Sequence, residues 1–176
     1  MAHVIAVAGK GGVGKTTLTG LLIQYLCEKK RGPVLAVDAD ANSNLNEVLG
    51  VKVDATLGEI RDEIERAEMS TSSPIPAGMS KADYVEFKLN SALTEDDDFD
   101  LLVMGRTQGK GCYCYVNGLL QAQMAKLQKN YAYMVVDNEA GLEHISRGIL
   151  PNMETAILVS DCSRRGVQAA GRIAEL

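Results

Sequence analysis

The stretch Gly9-Lys10-Gly11-Gly12-Val13-Gly14-Lys15-Thr16-Thr17 decides how the rest of the chain is read. It follows a short apolar run, His3 to Ala8, and opens into apolar residues at helical spacing: Leu18, Leu21, Leu22, Tyr25 and Leu26. Gly9, Gly14, Lys15 and Thr16 satisfy the pattern G-x-x-x-x-G-K-[ST]. Its chemistry explains its spelling. Glycines let backbone amides close around a phosphate, and the helix N-terminus adds partial positive charge. Lys15 is placed to reach terminal phosphates, and the Thr16 hydroxyl to ligate Mg2+. Val13 and Thr17 complete the cradle. A strand before the loop and a helix after it separate this reading from a glycine-rich turn that binds nothing.

The remaining composition narrows the function classes. At 176 residues the expectation is one domain, 1–176, with a real core. The chain has no Trp and two Phe, so that core is built from Val, Ile, Leu, Ala and Met. A net charge of −5 without a long basic block argues against nonspecific nucleic-acid binding. No apolar run approaches the ~20 residues of a membrane span. The first residues lack the pattern of a signal peptide and are better used as a strand. A cytoplasmic protein is expected, with no nucleic-acid or membrane partner. In that reducing setting four cysteines suggest thiols or metal ligands before disulfides.

Three more apolar runs end in chemistry. Pro33 to Val37 leads to Asp38-Ala39-Asp40, which the open α/β rule places near the loop's phosphates. Two carboxylates there make sense with Mg2+ or a polarised water between them. The bland alternative is an acidic turn capping a helix near 45–49. Tyr133 to Val136 closes on Asp137, an acid suited to the Mg2+ shell, and Gly141 follows, able to approach a γ-phosphate through its amide. Phe99 to Gly105 runs into Arg106 and then Gly111-Cys112-Tyr113-Cys114-Tyr115-Val116-Asn117. Two thiolates at C-x-C spacing chelate one ion without completing a tetrahedral site, and a second copy of the chain would complete it by symmetry. Soft ligands favour Ni2+ or Zn2+ over Mg2+. A redox pair of thiols and two unrelated buried cysteines remain open. Elsewhere, Thr56 and Glu59 spell a capping box, residues 81–93 and 118–130 read as helices, and Glu95 to Asp98 reads as a solvated turn. A strand at Thr155–Asp161 and a helix from Arg164 close the chain.

Lys10 is a second lysine in the loop, and with it the spelling resembles the deviant loop of the MinD/ParA/nitrogenase-iron-protein class of dimeric ATPases. With Asp38 to Asn44, Gly105-Arg106, the Cys112–Asn117 stretch and Asp137-Asn138-Glu139-Ala140-Gly141 added, the chain resembles more narrowly the carbon monoxide dehydrogenase accessory ATPases, the CooC group. The resemblance spans essentially all residues. It implies a Rossmann-like P-loop α/β fold with a mostly parallel sheet, a C-terminally short version of the family domain. It implies Mg2+-dependent ATP hydrolysis, a nucleotide- or metal-dependent homodimer, and a carbon monoxide dehydrogenase as the partner receiving nickel. Catalytic roles then fall to Lys10 in trans, Lys15, Asp38 and Asp40, the last orienting water. Gly9, Gly11, Gly12, Val13, Gly14, Lys15, Thr16, Thr17, Asp137 and Gly141 bind nucleotide, and Cys112 and Cys114 bind Ni2+ or Zn2+. Rival readings are an iron–sulfur carrier ATPase, a MinD/ParA-type positioning ATPase, and a non-enzymatic metal-bridged dimerisation module.

Overall fold

A computed structural model of the chain describes residues 1–40, 42–69, 75–76, 78–106, 121–122, 124–139 and 153–175. Six strands form one sheet: β1 (His3–Gly9), β2 (Val34–Ala39), β3 (Thr94–Glu95), β4 (Phe99–Val103), β5 (Tyr133–Asn138) and β6 (Thr155–Val159). Their order is β3-β4-β2-β5-β1-β6. All pairings are parallel except the short antiparallel β3–β4 edge. The helices described with both ends are α1 (Lys15–Glu28), α2 (Leu45–Leu49), α3 (Leu57–Met69), α4 (Lys81–Ala92) and α5 (Arg164–Ala174). The expected mostly parallel α/β fold is what forms.

The central strands β1, β2 and β5 are buried on both faces, which is why they are unbroken apolar runs. Alternate side chains feed two large cores, and Ala6 and Ala8 pack with Leu158 and Ile173 in a smaller third. Ile23 and Leu26 of α1 and Leu45 of α2 pack on Ala36, Leu101, Val103 and Val135. Leu57, Ile60, Ile64, Val85 and Leu89 of α3 and α4 pack on Leu35, Val37, Leu102, Met134 and Val136. α1 turns Lys15, Thr19, Ile23 and Leu26 toward the protein, one face of a helix. Gly20 lets α2 come close, since a Cβ there would press on Val48.

The local signals resolve as written. Thr56 Oγ1 accepts from the Glu59 amide at 3.3 Å, and the Glu59 carboxylate returns to the Thr56 amide at 2.8 Å, starting α3. Ser80 caps α4 through the Asp83 amide at 3.1 Å. Two details differ from the sequence reading. Glu95 belongs to β3, opposite Asp100, because Thr94 and Glu95 pair with the edge of β4, leaving only 96–98 to turn. Residues 121–122 and 124–127 are helical, but the last turn, Gln128–Asn130, tightens to a 3-10 helix. The remainder of the helix expected at 118–130 lies outside the described residues.

Candidate functional site

The carboxyl ends of β1, β2 and β5 lie side by side, and the loop after β1 closes over them. Gly12 and Gly14 hold φ of 79° and 90°, the left-handed region that side chains resist. Gly9 sits against β6, where a Cβ would run into the Val159 carbonyl. α1 therefore begins at a glycine cap with no side-chain hydrogen bond and no acid in its first turn. Its first amides are left for a ligand. Lys15 is only 7% exposed, and its ammonium donates to the Lys10 carbonyl at 3.3 Å.

Register puts Asp38 directly beside Asp137 on the neighbouring strand, both carboxyls buried. Burial, chiefly, pushes both upward. Asp38 rises to about 6, with the Leu45 and Asp40 amides opposing and the Asp137 charge adding. Asp137 also rises, restrained by the hydroxyls of Thr16 and Thr19 and by the Lys15 charge. Thr19 Oγ1 lies 3.2 Å from Asp137 Oδ1 and donates to the Lys15 carbonyl at 2.9 Å, so helix and acid are fastened together.

The two aspartates after β2 are not equivalent. Asp38 accepts the Asp40 amide on one oxygen and the Leu45 amide on the other, each at 3.0 Å. It caps α2 and braces the turn, the helix-capping duty weighed for this segment as the bland alternative. Asp40 is half-buried on the cavity wall, and one of its oxygens accepts the Asn42 amide at 2.8 Å. The cavity above the loop measures about 580 Å3 and is lined by Gly11, Gly12, Gly14, Lys15, Thr16, Thr17, Asp40, Asn42, Asn44, Glu47, Val48 and Glu139. A hollow of about 620 Å3 lies beside α1 against Val48, Leu49 and Phe99, but its lysine, Lys30, is accompanied by the carboxylates of Glu28 and Asp98, and none of the glycine loop's residues 9–16 lines it. Chemistry rather than size marks the site.

Lys10 is exposed, and its charge helps hold the Asp161 carboxyl below its ordinary range, after the Ser163 hydroxyl and amide. Val13 is half-buried and Gly9 buried beneath the loop. Gly141, Cys112 and Cys114 lie outside the described residues. Among the described residues no group of three or more His, Cys, Asp or Glu side chains is placed to hold a metal, and no helix is long and apolar enough to cross a membrane. Cys27 is half-buried and donates to the Asp98 carbonyl at 3.3 Å.

Three contributors were not read from the sequence. Thr19 carried a signal, a polar residue four positions after Lys15 on a core-facing stripe. Asn138 is 1% exposed; its amide nitrogen donates to the Val7 carbonyl at 3.2 Å, while its buried Oδ1 has no partner among the described residues. Arg106, quoted only as part of a motif, donates to Asn42 Oδ1 at 2.7 Å across 64 residues of chain.

A family model described as an AAA domain matches residues 2–175. An uncharacterized ATP-binding protein of Methanocaldococcus jannaschii is 49% identical over 173 residues, covering 98% of this chain and 67% of its own length. The carbon monoxide dehydrogenase accessory protein CooC of Rhodospirillum rubrum is 30% identical over 180 residues, covering 96% of this chain and 66% of its own. Among solved structures, the septum site-determining protein MinD of Pyrococcus horikoshii, complexed with Mg-ADP, superposes with a TM-score of 0.64 at 24% identity. That match covers 99% of this chain and 64% of MinD. The chain thus spans about two thirds of the length of its relatives.

Proposed function

Since this chain belongs to the AAA-domain family of MinD/ParA-like P-loop ATPases, we propose that it hydrolyses ATP and couples nucleotide-dependent dimerisation to nickel insertion into a carbon monoxide dehydrogenase. The observation that carries the ATPase half is the cavity walled by an uncapped helix end, a buried lysine and Asp40, with two buried acids beneath it. The nickel half is supported by the 30% identity to CooC and by the Cys112–Cys114 pair in the sequence.

Lys15 and the amides of 11–16 hold the phosphates. The Thr16 hydroxyl and the Asp137 carboxylate, the latter held by Thr19, are hard oxygens that suit Mg2+, Asp137 through water. Mg2+, when bound, would supply positive charge to neutralise the phosphates there. Asp40 orients the attacking water, and Asp38 assists by fixing the turn that carries it. Gly141 senses the γ-phosphate through its amide. Lys10, exposed within the loop, supplies charge to a partner's nucleotide when two copies close. Phosphoryl transfer depends on such placement more than on covalent chemistry. Ni2+ or Zn2+ is the cargo, shared by the thiolates of two copies, and release follows hydrolysis.

The test is anaerobic nickel titration with sedimentation and phosphate release, on wild type and Cys112→Ser/Cys114→Ser, with and without ATP. Two thiolates per copy predict about one Ni2+ per dimer, lost in the double variant. Nickel binding that ignores the cysteines, or equal affinity with ATP and ADP, refutes the coupling. Absence of phosphate release leaves the metal-bridged module in its place.

A further inference from the structure

The turn that carries Asp40 is held from inside and from outside. Inside, the Asn42 amide donates to the Asp40 carboxylate and the Ser43 amide to the Asp40 carbonyl at 3.0 Å, with Ser43 at a φ of 51°. Nothing in that local set orients the Asn42 side chain. The outside contact does: Arg106 Nη2 donates to Asn42 Oδ1 at 2.7 Å.

Arg106 stands on a fixed base. The Met104 amide donates to the Asp38 carbonyl, extending the β2–β4 register, and the Gly58 amide donates to the Met104 carbonyl, both at 2.8 Å. A Cβ on Gly58 would collide with the Arg106 carbonyl. Gly105 takes a φ of 64° with Thr56 against it. The N-terminus of α3 therefore packs on the Arg106 backbone, and the end of β2 fixes Met104 two residues before it. One strand end thus supports both the carboxylate that braces the turn and the guanidinium that reaches it.

We propose that Arg106 is a positioning residue of the nucleotide site, holding Asn42, and through it the Asp40 carboxylate, in the orientation that receives water and nucleotide. The inference rests on the ATPase reading above for its kinetic consequence, but the contact itself has an independent readout. Both partners are exposed, so the contact is a modest, charge-assisted one. Its effect is on geometry, where small displacements reduce rate more than affinity.

The experiment compares wild type, Arg106→Ala, Arg106→Lys, Asn42→Ala and the Arg106→Ala/Asn42→Ala double variant. Without nucleotide, hydrogen exchange at the Asn42 and Ser43 amides is expected to quicken at least about threefold in Arg106→Ala while β2 and β5 amides hold, the size of one exposed hydrogen bond. With ATP, kcat is expected to fall about tenfold with KM within about twofold, Arg106→Lys to recover part of the loss, and the double variant to be no worse than either single. Unchanged exchange, or losses that multiply in the double variant, overturns the proposal. If wild type releases no phosphate, the ATPase reading fails while the exchange result still decides the contact. If Arg106→Ala loses sheet protection, Asn42→Ala on the open turn decides it by the same measures.

Discussion

Two helices leave neighbouring strands at the same end of the sheet, and they are finished in opposite ways. α1 follows β1 through Gly14, with no side chain on its first amides. α5 follows β6 through Ser163, whose hydroxyl accepts the Gly166 amide at 3.0 Å while Asp161 accepts the Ser163 amide at 2.9 Å. One N-terminus is closed by its own sequence, the other is open to a ligand. A helix start that uses its own side chain on an amide has fewer donors to offer, so the contrast favours α1 as the anion-facing end more sharply than cavity size does. The surroundings agree: the open end rests on a strand buried from Val4 to Gly9, the closed end on β6, exposed or half-exposed throughout.

Breaking the open end has the largest expected effect. Lys15→Ala removes the buried cation beside the amides, and ATP turnover should fall at least about a hundredfold, as when one transition-state donor is lost from a dry site. Phosphate release at saturating ATP checks it; a fall under about threefold would place the phosphates elsewhere. The acids beneath come next. Asp38 ionises at about 6 rather than 3.8, so between those values the folded chain holds more protons than the unfolded one. Stability should therefore decline as pH rises from about 4 to about 6, by roughly 2–3 kcal/mol from this group, and Asp38→Asn should lack that slope. Urea melts of both proteins at pH 4 and pH 7, without nucleotide, measure the difference, and equal slopes would contradict the burial argument. The smallest effect belongs to the closed end. Ser163→Ala should cost about 1 kcal/mol of stability and leave ATP affinity within about twofold, because its hydroxyl closes the start of α5 rather than the glycine loop. A tenfold loss of affinity would mean that both helix starts serve the nucleotide.

The loop, the carboxylate-ended strands and the Thr56–Glu59 capping box were legible because each is local. Gly9 to Thr17 bends and caps within nine residues, and Thr56 with Glu59 closes within four. Strands buried on both faces announce themselves as unbroken apolar runs. The Glu95 pairing was not legible, since an acidic tract looks solvated until Leu101 and Asp100 are known to lie opposite it. Nor was the dual duty of Asp38, which needs Leu45 and Asp40 in place to be seen as a brace.

By itself, then, the sequence determined that a phosphate-binding loop joins a buried strand to a helix, that acids end two further strands, and that a parallel α/β sheet carries them. These depend on spacing and burial periodicity, which are written along the chain. Only the tertiary structure decided that β5 lies between β1 and β2, setting Asp137 beside Asp38 and under Thr19, and that Arg106 reaches Asn42. Those contacts join residues far apart in sequence, and strand order and side-chain reach come from packing the whole sheet rather than from any one segment of it.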